Sequence, residues 1–293
     1  VHENLNRIKN QMNTCKHQDP TRSISQFQAF VVALAFTLVS SASLASTAPA
    51  LGTTSTYGIV SSTFTNTANP TIITGSVCYT TAPVLAPTTI TGATLIPCPV
   101  ATGADQGSAL ANVNGQACIS LGVGAVALNT VNLGSGLGVF TPGCYSSGGA
   151  MSVAAGAVTL NGPGVYIFRS TGTLTTAAGT SVAVAGGACA NDVFWAPNGA
   201  TTLGANTSFV GNILDGVANA VTIGTTSTLI GRILSYGGVV TTNADTITVP
   251  SCAPFGSGSA TIPTLSEWGL ILLSGLVAVM SFVMMRRRNG AAF

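Results

Sequence analysis

Few side chains in this 293-residue chain can do chemistry: seven cysteines, seven acidic residues, nine Lys or Arg and two histidines. Cys15 lies near the start. Cys78, Cys98, Cys118, Cys144, Cys189 and Cys252 lie within residues 46–253. An even set reads as disulfides if the chain is exported, as its ends indicate below. Six cysteines allow 15 connectivities. Neighbours in sequence suggest Cys78–Cys98, Cys118–Cys144 and Cys189–Cys252, although the sequence alone does not choose. A zinc site would want closely spaced ligands; no CxxC occurs, and His2 and His17 lie outside the segment. No metal or cofactor is expected.

Acid–base catalysis needs paired carboxylates, or a base beside a cation. Asp105, Asp192, Asp215 and Asp245 are scattered, with Arg169 and Arg232 the only basic residues between 46 and 252. Asp215 and Asp245 fall where turns are expected, and Asp is an ordinary turn residue. Gly134-Ser135-Gly136 reads as a turn, and no nucleophile elbow, phosphate loop or calcium repeat is present. The chain is not expected to be an enzyme.

What remains is hydroxyl chemistry, and its spacing is regular. Thr202 to Leu214 repeats as Thr222 to Leu234 at an offset of 20, every apolar position matched. Thr246-Ile247 follows Thr228-Leu229 at 18, and Thr175 to Val184 precedes Thr202 to Gly211 at 27. Short strands and glycine turns at a repeat of about 20 residues mark a β-solenoid, in which each coil buries its apolar face only against its neighbours. Stacking puts Leu203 over Ile223, Phe209 over Leu229 and Ile213 over Ile233. Side chains alternate across a strand, so Ser181, Ser208, Thr228 and Thr246 form one outward column, and Thr175, Thr202, Thr222 and Thr241 a second. A β-sandwich is the competing architecture, but fixed offsets favour the solenoid. Gly103 to Val113 reads as a short helix weakened by Gly107.

The composition agrees. Only 5% of residues are charged, against about 25% in ordinary domains, and mean hydropathy is +0.54. That excludes a phosphate grip on nucleic acid and a disordered chain.

Charges gather at the ends. Basic residues precede the apolar run 27–39, FQAFVVALAFTLV, and SSASLAS follows it, the pattern of a secretory signal cut after Ala45. Near the other end, residues 268–285 are apolar and followed by Arg286, Arg287 and Arg288. Eighteen helical residues reach about 27 Å, enough to span a membrane core. Just before them stand Ile262, Pro263, Thr264, Leu265, Ser266, Glu267 and Trp268. This segment resembles the IPTL C-terminal sorting signal of Gram-negative bacteria. The resemblance implies export, handling by an exosortase-type membrane enzyme, and a C-terminal helix that holds the chain in the inner membrane before processing. PFGSGS, residues 254–259, reads as a linker.

The middle of the chain also resembles a family. Leu51-Gly52-Thr53 with Thr71-Ile72-Ile73-Thr74-Gly75, Thr141 to Tyr145, Gly164 to Phe168, Asp192 to Trp195, Thr202 to Leu214 and Gly231 to Leu234 follow the order of the ice-binding protein family, DUF3494. The resemblance implies a discontinuous right-handed β-solenoid with a helix along one side, and ice binding through one flat face. The family's motif there, roughly Thr, Ala or Gly, any residue, then Thr or Asn, is placed on Thr225 to Thr228, the one coil with both Thr positions, with Ala205/Ser208, Ala178/Ser181 and Asn243/Thr246 in neighbouring coils. The first candidate face is therefore Ser181, Ser208, Thr225, Thr228, Asn243 and Thr246. The second is Thr175, Thr202, Thr222 and Thr241.

The expected organisation is a leader (1–45), an all-β solenoid (46–253), a linker (254–261), the sorting signal and transmembrane helix (262–288) and a cytoplasmic tail (289–293). The expected function is an exported ice-binding protein, extracellular or at the cell surface. The alternative is a structural or adhesive protein of the cell-surface polymer matrix. A carbohydrate-binding module would need exposed aromatics, for which Tyr57, Tyr79, Tyr145 and Tyr236 are the candidates.

Overall fold

The computed structural model describes residues 46–216 and 218–252, with Leu273, Gly275 and Leu276 beyond them. The expected leader, the linker, the sorting signal and nearly all of the C-terminal helix lie outside the described residues. Among those described, no helix is long and apolar enough to cross a membrane.

Among the described residues twenty strands join in one sheet, paired in parallel apart from one isolated antiparallel bridge. The chain winds through three faces in turn. Face A stacks Val126–Ala127, Met151–Val153, Leu174–Thr176, Thr201–Leu203, Val221–Ile223, and residues 240–242 and 63–66 of two longer strands. Face B stacks Val139–Phe140, Ala157–Asn161, Ser181–Ala185, residues 208–210, 228–230, then Thr246–Thr248, Ile72–Thr74 and Thr89–Ile90. Face C runs from Ile119–Gly122 through Gly143–Ser147, Tyr166–Ser170 and Val193–Pro197 to residues 212–214, 231–235 and 57–61, then Ser76–Cys78 and Thr94–Leu95. The expected offsets hold: Thr175 pairs with Thr202, Phe209 with Leu229, Ile213 with Ile233, and Thr228 with Thr246. The solenoid is discontinuous, because the first strand, Tyr57–Asn66, stacks on the long strand Thr228–Thr242.

Inward side chains fill the prism. Tyr145, Phe168, Trp195 and Phe209 form an aromatic column, with Phe168 and Trp195 stacked at 4.3 Å. Each such ring pair contributes roughly 0.5–1.5 kcal/mol beyond its buried area. Coils approach so closely at the B–C corner that a Cβ on Gly231 would overlap the Gly211 carbonyl.

Face C is buried on both sides. Val193 and Trp195 point into the prism, while Phe194 and Ala196 join a second apolar cluster with Val60, Ile167, Leu214 and Leu234. Helix α1, Val100–Gly115, covers that cluster through Thr102, Gln106, Ala109 and Val113, one stripe at helical spacing. It is longer than the expected 103–113, because packing outweighs weak propensity. Gly103 sits where a Cβ would meet the Tyr236 ring at 2.7 Å. The chain pairs its cysteines as the neighbour rule suggested: Cys78–Cys98, Cys118–Cys144 and Cys189–Cys252. The first two bracket α1. From Ser76–Cys78 to Gly143–Ser147 is six strand spacings, about 29 Å, and a helix of 16 residues spans about 24 Å. Helix and stack are matched in length, and a disulfide fastens each end. Arg169 then donates from Nη1 to the carbonyls of Val113, Asn114 and Gln116, a cation at the negative end of the helix. Gln106 ties the middle of α1 to the Asp215 carbonyl and the Tyr236 N–H.

Asp215 and Asp245 are not ordinary surface turn residues. Both are fully buried, because each carboxylate holds backbone that the coil would otherwise leave unsatisfied.

Candidate functional site

Face A carries the second of the two expected columns. Its register is unbroken: Ala127, Ser152, Thr175, Thr202, Thr222, Thr241 and Thr65 stand one above another. Six strand spacings make it about 29 Å long. Among the described residues none of the five Thr hydroxyls has a partner, so each is left to water. Two residues earlier in each coil are Ala150, Thr173, Ala200, Ala220, Val239 and Thr63; two later are Ala154, Ala177, Gly204, Gly224, Asn243 and Thr67. No charged residue and nothing longer than Asn interrupts this surface, and the half-exposed Val239 is its one bulky aliphatic side chain.

Face B carries the first expected column. Ala157, Ser181, Ser208, Thr228, Thr246, Ile72 and Thr89 are in register. Val182, Phe209, Leu229 and Ile247 alternate inward, as expected. This face is less even. Its second outward column includes Val139, the half-exposed Ile230 and the buried Val210. Thr225 and Asn243 do not lie in the Thr228 column; they stand at the A–B corner. There the chain turns through Gly156, Gly179, Asn206, Thr226 and Ala244, all at positive φ.

Beneath that corner runs a buried polar ladder, which periodicity alone did not reveal. Thr176 and Thr207 share a hydroxyl contact of 3.1 Å, and Thr207 N donates to Ser227 Oγ at 3.0 Å. Ser227 N donates to Asp245 Oδ1 at 2.9 Å, and Asn243 N to Asp245 Oδ2 at 2.6 Å. Asn66 Oδ1 accepts from Thr71 and Thr242. Burial pushes the Asp245 carboxyl up to about 6, against two N–H groups that favour its charge. Asp215 is likewise raised to about 6, by burial first, against hydrogen bonds from Ser235 and Gly216. These bonds hold the corner, and with it the spacing of the outward columns on either side.

At the B–C corner Arg232 is buried. It donates to the Ser55 carbonyl and to Asn191 Oδ1 and Asn212 Oδ1. Burial lowers its guanidinium to about 10. Of the four tyrosines considered for stacking on sugars, Tyr57, Tyr79 and Tyr145 are buried and Tyr236 packs against α1. A cleft of about 290 Å³ lies beside Arg169, Asn114 and Asn198, but Arg169 is committed to the helix carbonyls. Among the described residues no group of three or more His, Cys, Asp or Glu could hold a metal.

The geometry matches known proteins. Residues 52–248 match the family model described as Ice-binding-like, and residues 260–288 match the IPTL-CTERM motif. An ice-binding protein of Nostoc sp. (strain HG1) is 30% identical over 279 residues, covering 91% of this chain and 98% of the other. One of Flavobacterium frigoris (strain PS1) is 33% identical over 125 residues, 41% of this chain and under half of its own length, 44%. A crystal structure of an ice-binding protein from an Antarctic biological consortium aligns with TM-score 0.61 at 28% identity, over 70% of this chain and 93% of the other. The stacked coils, the flanking helix and the sequence matches converge: the chain belongs to the ice-binding protein family and carries an IPTL-type C-terminal motif.

Proposed function

We propose that this chain is exported and binds ice through face A. The observation that carries the reading is the column Thr175, Thr202, Thr222, Thr241 and Thr65, unbroken in register, with free hydroxyls and small neighbours. Ice offers neither charge nor a concave shape, so adsorption needs a flat, rigid and regular surface. Each Thr methyl placed against ice is withdrawn from liquid water, and each hydroxyl keeps an ordered water in place. Strand spacing repeats the pair along the face. Face B, with Ser181, Ser208, Thr228 and Thr246, is the alternative surface, but its bulkier aliphatic residues make it less even.

The ends support export. Residues 1–45 read as a leader, and the tail as a signal for an exosortase-type enzyme, with its apolar helix in the inner membrane before processing. The same tail would serve a non-catalytic matrix protein. Thermal hysteresis and ice recrystallisation inhibition decide between them. Activity lost in Thr222→Tyr and kept in Thr228→Tyr supports face A; the reverse supports face B. No activity in the folded chain overturns ice binding and leaves the matrix role.

A further inference from the structure

Cys252 is fastened to the solenoid at one corner, and that corner has a fixed relation to face A. In each coil the chain passes from face A to face B to face C. Cys189 lies between Ser181–Ala185 on face B and Val193–Pro197 on face C. Cys252, where the main run of described residues ends, is bonded to Cys189, and Asn191 Nδ2 donates to its carbonyl. The exit is therefore the B–C corner, and in a three-sided prism that corner faces away from A. It is also near mid-stack, since Val193–Pro197 is fourth of the nine strands on face C.

Resting on the reading of face A above, we infer that the chain is built to hold a tethered surface against ice, with the Cys189–Cys252 disulfide as the clasp through which the tail grips the solenoid. A tether at the opposite corner leaves the Thr plane unobstructed, and a mid-stack tether holds that plane broadside. Residues 253–261, up to the sorting signal, reach only about 30 Å at full extension, so the attached surface stays near this corner.

The clasp also decides where a pull is felt. The last strand, Thr246–Thr248, has three residues and sits between residues 228–230 and Ile72–Thr74. A pull entering through residues 249–251 would peel this strand and open the stack. The disulfide diverts the pull to Cys189. Neighbouring Asn191 is joined to Arg232, and Arg232 in turn to Ser55 and Asn212, so the force is shared among several segments.

The test uses the full chain, biotinylated at its C-terminus and held on streptavidin beads, presented to ice under flow. Thermal hysteresis of the same chain is measured free in solution. Wild-type beads are expected to be captured and held, and Thr222→Tyr beads to lose capture. Cys189→Ser/Cys252→Ser is expected to keep free-solution hysteresis but release its beads at lower flow. Beads of the double variant held as firmly as wild type overturn the clasp. Hysteresis in solution without capture of wild-type beads overturns the tether geometry and leaves ice binding standing; no hysteresis at all removes the ice reading beneath it. Should the double variant not fold, pulling on ice-bound wild type decides. Extension confined to residues 253–293, about 140 Å at most, supports the clasp, and a longer extension before release overturns it.

Discussion

Thr202 and Thr222 are register partners in adjacent parallel strands, although 20 residues separate them. Both are exposed, and both hydroxyls are free of protein partners. Their side chains stand one strand spacing apart, held by Thr201 and Leu203 beneath the first and Val221 and Ile223 beneath the second, all four buried. The outer surface is thus positioned by the inner one, and the predictions below probe that dependence.

Among the described residues Ser46, Ser61 and Thr201 carry buried hydroxyls with no partner, and Thr201 lies directly beneath the Thr column. Thr201 is fully buried between Leu174 and Val221, and its Oγ1 makes no hydrogen bond. Thr201→Val keeps the shape and removes an unsatisfied polar group, so a gain of about 1 kcal/mol is expected. Thermal denaturation should show a Tm raised by about 2–4 °C, with ice activity unchanged.

Acid should stabilise this protein over part of its range. Asp215 and Asp245 titrate near 6 in the folded state, against about 3.9 unfolded. Between those values the folded chain holds more protons, so stability rises as pH falls through about 6 toward 4 and is flat above. No His or Lys lies between residues 46 and 252 to mask the effect. Asp105, whose carboxyl is lowered by hydrogen bonds from Thr53, acts with the opposite sign only as pH drops below the usual carboxylate range. Tm should be higher at pH 5 than at pH 7, and Asp245→Asn should shrink the difference.

Arg169→Ala should loosen the end of α1. Three carbonyls lose one charged donor, a cost of about 2 kcal/mol. Hydrogen exchange should quicken in the last turn of the helix and stay slow in Val193–Pro197. Equal acceleration in both would mean that the helix and the sheet open together.

Gly231→Ala tests the closeness of the coils. The added methyl overlaps the Gly211 carbonyl, a backbone group of the neighbouring coil rather than the end of a flexible side chain. A loss of about 3 kcal/mol or more is expected, read as a lowered denaturant midpoint.

The sequence by itself determined the coil from Thr175 onward. Offsets of 27, 20 and 18 placed Thr175, Thr202, Thr222 and Thr228 over partners that the structure confirms, because a solenoid writes nearest-neighbour burial as periodicity. Neighbour order suggested the cysteine pairing, but the choice among 15 connectivities came only with the structure. Only the tertiary structure decided the rest. Thr65 joins the Thr column by stacking on Thr241, a contact across some 176 positions that no local period encodes. Gly107 argued for only a short helix, yet burial of Gln106, Ala109 and Val113 against face C extends it to 16 residues. Asp215 and Asp245 read as turn residues, because a sequence does not say that the turn is buried. Flatness, too, depends on which side chains stand beside the Thr column, and that neighbourhood exists only once coils are stacked.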